Sequence, residues 1–257
     1  GNMGTAIMRG LLKTYQPEEL LFTSAHEAKM QKITEETGVA HVSTANECAE
    51  QVKYLVLAVK PQVLPTVFKE LNGTIRKDQV VISIAAGYAI ADLQAGLGES
   101  ARIVRSMPNT PAMVGEGMSG VSYDENLFTD EEKQVIDGFF TSFGKMEKVD
   151  EKLMDVVGSA SGCSPAYVYM FIEALADGCV KNGLPRQAAY KMVSQAVLGS
   201  AKMVLETGKH PGELKDMVCS PGGTTIEGLA ALEENGFRGA IIKACDANFE
   251  KNKKLKG

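Results

Sequence analysis

Two continuous apolar runs, residues 54–59 and 80–84, constrain the fold of this chain most. Neither run contains a charged residue, which is typical of strands buried on both faces of a parallel sheet. A helical pattern follows each run, at residues 61–71 and 90–97, and a further strand is predicted at 102–104. Strands and helices that alternate at this spacing predict an α/β fold with a doubly wound, mostly parallel sheet.

Weaker signals extend this pattern and then stop. Short strands are predicted at residues 20–23, 39–42, 119–122 and 146–149, each with few residues and modest β propensity. After residue 149 only helical patterns remain. We therefore predict two domains, an α/β domain at residues 1–150 and an all-helical domain at residues 151–257.

Composition narrows the class of protein. The chain has 257 residues, 44% of them hydrophobic and 23% charged, and a net charge of −5, so no nucleic acid or anionic membrane is expected as a partner. The longest nearly apolar run, 80–91, is too short to cross a bilayer. Five scattered cysteines and no secretory signal favour a reducing cytoplasm. Three histidines far apart in sequence argue against a metal site.

The segment Gly1-Asn2-Met3-Gly4 opens directly into a helical pattern. It looks like the last two glycines of G-x-G-x-x-G, a turn that places a pyrophosphate on a helix N-terminus. The first glycine of that motif and its strand would precede residue 1, so the sequence is expected to lack its natural start.

The ends of two predicted strands bear on the cofactor. Ser24 follows the strand at residues 20–23, where an acidic residue would hold the 2′-hydroxyl of NAD. A small hydroxyl leaves room for a 2′-phosphate, so NADPH is favoured, and NADH stays open because Glu27 follows closely. Small residues at 85–87 leave space for a flat ring.

The segment Ser220-Pro221-Gly222-Gly223-Thr224-Thr225 precedes a helical pattern that starts at Ile226. Two adjacent glycines let a ligand approach the main chain closely. The serine and the two threonines are residues that cap helices, so we predict a capped helix N-terminus here. Its free N–H groups and the helix dipole would face a small anion such as a carboxylate.

The predicted helix at residues 166–181 is apolar on nearly every side. Its charges, Glu173, Asp177 and Lys181, lie four residues apart on one narrow stripe. Such a helix must be buried nearly all round, which a domain of about 100 residues achieves with difficulty. We infer that a second subunit covers it, and the alternative is a central helix within one subunit.

Taken together, these motifs resemble the pyrroline-5-carboxylate reductases over essentially the whole chain. The matching stretches are Gly-Asn-Met-Gly at 1–4, Ala-Val-Lys-Pro at 58–61, Met-Pro-Asn-Thr at 107–110, Ser-Pro-Ala-Tyr at 164–167, Glu-Ala-Leu-Ala-Asp-Gly at 173–178 and Ser-Pro-Gly-Gly-Thr-Thr at 220–225. The resemblance implies a Rossmann-type domain, a helical dimerisation domain, and dimers that often form a decamer of five dimers. It implies reduction of 1-pyrroline-5-carboxylate to proline by NADPH or NADH, the last step of proline synthesis.

The resemblance also assigns site residues. Cofactor contacts carry over to Gly1, Asn2, Met3, Gly4, Ser24, Asn46, Ala58, Val59, Lys60, Pro61, Ala85 and Gly87. Substrate contacts carry over to Ser220, Gly222, Gly223, Thr224 and Thr225. We add Met107 beside the nicotinamide and Asn109 beside the substrate, since both lie in the turn after a predicted strand. One departure is Cys163-Ser164, which is bulkier than the usual pair before the long helix.

The substrate implied is a cyclic imine with a carboxylate, and a protonated imine accepts hydride readily. Catalysis then depends more on positioning the substrate than on a strong acid. This fits a chain without an evident histidine or cysteine catalytic constellation. We expect N–H groups of Gly222, Gly223 and Thr224, with Ser220, to hold the carboxylate. Thr225 Oγ is expected to orient the ring nitrogen. This turn lies in the helical domain and the cofactor turn in the other, so we expect a site between domains.

Two other functions stay open from sequence. A β-hydroxyacid dehydrogenase-like enzyme also joins a Rossmann domain to helices, and it needs a lysine acid/base, for which Lys181 and Lys191 are candidates by position. A dinucleotide-binding module that senses redox state without chemistry is the other.

Overall fold

The computed structural model describes residues 1–254, the last two by their backbone only. The chain forms two compact units, one made of residues 1–163 and those from 248 onward, the other of residues 164–247. The predicted domain boundary near residue 150 stays a prediction. The last three residues of the predicted second domain, 255–257, lie outside the described part.

The first unit contains a mostly parallel sheet, as predicted. Its strands are β1 (Leu21–Phe22), β2 (Ala40–His41), β3 (Tyr54–Leu57), β4 (Val80–Ser83), β5 (Arg102–Met107), β6 (Gly117–Ser122) and β7 (Gly144–Lys148). Strands β3 to β7 lie side by side in sequence order, and only β5 and β6 pair antiparallel. Strands β1 and β2 form a separate parallel pair.

The register of the sheet aligns the strand ends. Leu57, Ser83 and Arg105 are neighbours across β3, β4 and β5. Since these three strands are parallel, the segments that follow them leave at the same edge. Ligands of open α/β sheets bind at this carboxyl edge.

Helices cover the sheet. They are α1 (Asn2–Leu11), α2 (Glu27–Thr37), α3 (Ala45–Gln51), α4 (Leu64–Glu70), α5 (Ile90–Leu97), α6 (Asp130–Thr141) and α7 (Met154–Val157). Several ends follow the predicted signals: Gly38 closes α2 in the left-handed conformation (φ 76°), and Thr129 and Glu132 form a capping box at the start of α6. Helix α6 ends two residues earlier than the predicted residue 143.

The two faces of the sheet bury separate cores. Val80, Ile82 and Val104 pack with residues of α1 and α6, including Phe139 and Phe140 of α6. Val81 and Ile103 face the other way and pack with residues of α4 and α5. Every residue of β4 is buried, which explains why this run is apolar without alternation.

The second unit is helical, as predicted. It contains α8 (Ser164–Lys181), α9 (Arg186–Thr207), α10 (Pro211–Met217), α11 (Thr224–Glu234) and the first part of α12 (Phe237–Lys254). Helices α8 and α9 pack around a small buried core, which consists of Ala176, Ala189 and Val193. The apolar helix α8 is therefore left uncovered by its own chain, with Met170 73% exposed and Tyr169 58% exposed.

Within residues 1–254 no helix combines the length and apolar character that spanning a bilayer requires. In the same range, histidines, cysteines and carboxylates do not gather into a group of three that could hold a metal ion.

A buried ion pair joins β5 to α6. The Glu132 carboxylate receives two hydrogen bonds from the Arg102 guanidinium, at 2.8 and 2.9 Å, and one from the Thr129 N–H at 3.0 Å. Lys53 Nζ lies 3.3 Å from the same carboxylate. Mainly through the Arg102 hydrogen bonds, these partners lower the pKa of Glu132 from 4.5 to about 2.

We predict that Glu132→Gln destabilises the fold by roughly 3 kcal/mol at neutral pH, since a depressed carboxylate pKa favours the folded state. That stabilisation is complete above the unfolded pKa near 4.5 and is lost as the pH falls toward 2. Thermal unfolding at pH 7 and pH 3 measures the effect, and the gap between wild type and variant narrows at pH 3.

The matched control is Glu131→Gln, because Glu131 is exposed in the same turn of α6. It should shift the melting temperature little. Equal melting temperatures for the two variants would show that the ion pair contributes nothing to stability.

Candidate active site

The N-terminus of α1 lies at the carboxyl edge of the sheet. Gly1 occupies the N-cap position, and no side chain caps the helix. A Cβ added to Gly4 would lie 3.4 Å from Ala58 Cβ, so the first turn of α1 contacts the segment that follows β3. The structure thus brings the predicted Gly1–Gly4 turn to the same place as Ala58. An uncapped helix N-terminus in this position can bind a phosphate.

The segment after β4 has small residues at 85–87 and is at least partly buried. Ala85 is 4% exposed, and Gly87 has φ 84°, a left-handed conformation that favours glycine. Ser106 Oγ donates a 3.0 Å hydrogen bond to Ser83 O and joins the ends of β4 and β5. The predicted ring-binding segment therefore has a defined backbone and small side chains.

The remaining predicted cofactor residues follow other strands. Ser24, after β1, is half-buried, and its N–H donates to Met30 Sδ at 3.1 Å. Asn46, in α3, accepts a 3.0 Å hydrogen bond from Thr74 Oγ1. Val59, Lys60 and Pro61 continue from Ala58, and Lys60 is exposed. Their roles in cofactor binding stay predictions.

Asn109 lies in the turn after β5 and is only 8% exposed. Its Oδ1 accepts from the Met118 N–H at 2.8 Å, and its Nδ2 donates to Ser161 O at 3.0 Å. Both ends of the amide therefore have protein partners. The amide holds the turn in place, and the predicted substrate contact of Asn109 stays a prediction.

Met107, at the end of β5, contacts a segment that sequence reasoning missed. Residues Gly158–Gly162 form a short π-helix, and Met107 Cε would lie 3.5 Å from a Cβ on either glycine. The available signal was the run Gly-Ser-Ala-Ser-Gly, five small residues shortly before Pro165. Small residues permit close backbone packing, but they do not identify the partner.

The diglycine turn uses its two glycines for different reasons. Gly222 has φ 64°, which favours glycine. Gly223 has an ordinary φ of −80°, but a Cβ there would lie 2.4 Å from Ser220 Oγ. The Gly223 N–H donates to Ser220 O at 3.0 Å and closes the turn.

The start of α11 differs from the prediction. The helix begins at Thr224, two residues before the predicted Ile226, and no serine or threonine side chain caps it. The reason is that Gly223 takes the N-cap position and has no side chain. The first-turn N–H groups therefore lack a side-chain acceptor, and Thr224 and Thr225 are exposed beside them. This arrangement suits a small anion even better than a capped turn.

Comparison with known protein families identifies both parts of the chain. Residues 151–255 match the family model for pyrroline-5-carboxylate reductase dimerisation. Residues 1–87 match the model described as NADP oxidoreductase coenzyme F420-dependent.

Curated relatives match over the full length. The pyrroline-5-carboxylate reductase of Escherichia coli K12 is 46% identical, and the match covers 99% of this chain and 95% of that protein. The Arabidopsis thaliana enzyme is 41% identical over 99% of this chain and 92% of its own length.

Solved structures agree. The pyrroline-5-carboxylate reductase of Coxiella burnetii has a TM-score of 0.90 at 32% identity, covering 100% of this chain and 96% of that one. The Plasmodium falciparum enzyme, solved with NADP bound, has a TM-score of 0.86 at 34% identity, covering 100% and 95%. A 3-hydroxyisobutyrate dehydrogenase from Salmonella typhimurium, at 16% identity and a TM-score of 0.54, shares the fold alone. The chain belongs to the pyrroline-5-carboxylate reductase family.

Proposed function

We propose that this chain reduces 1-pyrroline-5-carboxylate to L-proline with NADPH or NADH, the last step of proline biosynthesis. The observation that carries the proposal is 46% identity over 99% of the chain to the E. coli enzyme of that name. The uncapped helix start after the diglycine turn supports it independently, because the substrate carries a carboxylate.

The residues at the carboxyl edge of the sheet fit a dinucleotide. The uncapped N-terminus of α1 offers N–H groups to a pyrophosphate, and its first turn lies close to Ala58, since a Cβ added to Gly4 would lie 3.4 Å from Ala58 Cβ. The residues proposed to hold the cofactor are Gly1, Asn2, Met3, Gly4, Ser24, Asn46, Ala58, Val59, Lys60, Pro61, Ala85, Gly87 and Met107. When bound, the nicotinamide supplies the hydride.

The substrate carboxylate binds at the start of α11. Since the Gly223 N–H already donates to Ser220 O, the N–H groups of Thr224 and Thr225 are the donors in this conformation. Ser220 Oγ adds a hydroxyl donor, and Gly222 and Gly223 keep the turn free of side chains that would block the anion. Electrostatic attraction by the helix N-terminus contributes to binding.

Thr225 is the residue proposed to act on the ring. Its hydroxyl is exposed in the first turn of α11, beside the proposed carboxylate site. A hydrogen bond from Oγ1 to the ring nitrogen would fix the imine carbon relative to the carboxylate. Orientation of this kind lowers the barrier without a strong acid. Asn109 contributes by holding the turn after β5 through its two internal hydrogen bonds.

The proposed assembly is a homodimer through the helical domain, with a decamer of five dimers as the larger form. The exposed apolar residues of α8 and the match to a dimerisation model support the dimer. We place the domain division near residue 150, and the dimerisation model that begins at residue 151 supports this. The five cysteines, all in the described part of the chain, form no disulfide with one another, which supports the proposed cytoplasmic location.

We predict that Gly223→Ala raises the KM for 1-pyrroline-5-carboxylate about fivefold or more, because the new Cβ collides with Ser220 Oγ and shifts the turn. The KM for NADPH should stay within about twofold. The control is Gly228→Ala in the same helix, where an added Cβ meets no atom of the chain within 4 Å. An unchanged substrate KM in Gly223→Ala would remove the carboxylate site from this turn.

We predict that Thr225→Val lowers kcat well over tenfold, since an orienting contact in the transition state is lost, as with other catalytic hydrogen-bond donors. Affinity for NADPH should be nearly unchanged. Thr225→Ser keeps the hydroxyl and should retain most of the activity. Steady-state kinetics of both variants decide the matter: if valine and serine give the same kcat, the hydroxyl has no role in the reaction.

We predict that Ser24→Asp lowers the ratio of kcat/KM with NADPH to that with NADH by about tenfold or more, since a carboxylate repels a 2′-phosphate and binds a 2′-hydroxyl. Ser100→Asp adds the same charge just before β5, at the opposite edge of the sheet, and should leave the ratio unchanged. A ratio that moves equally in both variants would indicate a general effect of net charge.

A further inference from the structure

The π-helical segment, residues Gly158–Gly162, lies directly under the turn after β5. Its defining hydrogen bond runs from the Cys163 N–H to Gly158 O at 2.8 Å. Turns of this kind are rare, and they occur frequently at functional sites. Residues that contact this segment can therefore influence the turn after β5, which contains predicted site residues.

One side of the π-helical segment contacts the turn. Met107 packs on the backbone of Gly158 and Gly162, and Asn109 Nδ2 donates to Ser161 O at 3.0 Å. Four residues after Ser161 is Pro165, which has no N–H to donate. The Asn109 side chain supplies a donor to the Ser161 carbonyl.

The other side of the segment is held by α12. Asn248 Nδ2 donates to Cys163 Sγ at 2.8 Å, and Asn248 Oδ1 accepts from Ser159 Oγ at 2.8 Å. One turn further on, Asn252 Nδ2 donates to Asp155 O at 3.2 Å. All of these residues belong to the first compact unit. One amide, Asn248, therefore bonds to Ser159 within the π-helical segment and to Cys163, the residue that follows it.

We propose that Asn248 is a positioning residue for the reduction, which acts through Ser159 and Cys163 on the π-helical segment and through that segment on Met107 and Asn109. The inference rests on the proposed function and adds a residue to it. The Asn248 amide bonds to Ser159, Cys163 and Asn252, so its effect on Met107 and Asn109 passes through the backbone of residues 158–162.

Loss of the Asn248 hydrogen bonds should affect the stability of the fold much less than the reaction rate. A neutral hydrogen bond contributes only modestly to stability, so we expect the chain to stay folded when the Asn248 bonds are lost. A displacement of about 1 Å in a reacting group can cost 10²-fold in rate. Activity is therefore the more sensitive measure of this contact. Cofactor affinity should change less, because Met107 is a single proposed cofactor contact beside this segment, whereas the proposed phosphate contacts lie on α1 and after β3.

The test uses the full-length enzyme with Asn248→Leu, which has a similar shape and no hydrogen bonds, and Asn248→Asp, which keeps the acceptor for Ser159 and loses the donor to Cys163. Cys163→Ala removes the sulfur atom that accepts the hydrogen bond from Asn248 Nδ2. Asn126→Leu is the matched control, because the Asn126 amide makes a local hydrogen bond to Asp124 at the surface of the same unit. Each is measured for kcat, for the KM of NADPH and for the deuterium isotope effect with NADPH labelled at the transferred hydrogen.

We expect Asn248→Leu to lower kcat about tenfold and to raise the isotope effect, because the hydride step slows while the KM of NADPH stays within about twofold. Asn248→Asp and Cys163→Ala should fall between the leucine variant and wild type. Asn126→Leu should match wild type.

Two failures are distinguishable. A wild-type enzyme that does not reduce 1-pyrroline-5-carboxylate refutes the proposed function itself. An active wild type with kcat and isotope effect unchanged in Asn248→Leu refutes the positioning role alone. Should the leucine variant fail to fold, unchanged values in both Asn248→Asp and Cys163→Ala refute it equally.

Discussion

The placement of the proposed cofactor-binding segments depends on the parallel pairing of β3, β4 and β5. Leu57, Ser83 and Arg105 are held in register, so three separate segments leave the sheet at one edge. The N-terminus of α1 packs against the first of these segments through Gly4. The segments that contain Ala58, Ala85 and Met107 therefore lie at one edge because of strand direction, and a shift in register would separate them. Ser24 and Asn46 are outside this set, since Ser24 follows β1 of the separate pair and Asn46 lies in α3.

The elements that sequence predicted well are those whose signals are local. The helix expected at residues 90–97 has those bounds, and the capping box at Thr129 and Glu132 forms as expected, because both depend on residues a few positions apart. The start of α11 was wrong because two local rules competed there. Threonines are good N-caps, but the turn places Gly223 at that position, where a Cβ would strike Ser220.

The motif residues of the predicted site could be recognised from sequence, but the residues that pack against them and hydrogen-bond to their neighbours could not. Ser159 and Cys163 bond to Asn248 across 89 and 85 positions, and Arg102 reaches Glu132 across 30. No periodicity or capping rule links residues so far apart. The small residues of 158–162 showed that something packs closely there, and only the three-dimensional arrangement shows that Met107 and the asparagines of α12 do. The motifs therefore predicted which residues to propose for the site, whereas the long-range contacts around them could be found only in the structure.

The helical unit links assembly to activity. Burial of an aliphatic side chain contributes about 1.5–3 kcal/mol, whereas ordering each backbone residue costs about 1–2 kcal/mol. The fully buried core of residues 164–247 is small: Ala176, Ala189 and Val193, with partly buried apolar residues around it, while Met170 and Tyr169 are exposed. The proposed dimer would bury exposed apolar surface of this kind and would add to the stability of the unit. Because the diglycine turn and α11 belong to the same unit, the proposed dimer would also stabilise the proposed carboxylate site. Substrate binding and dimerisation are then expected to be lost together when the subunits separate.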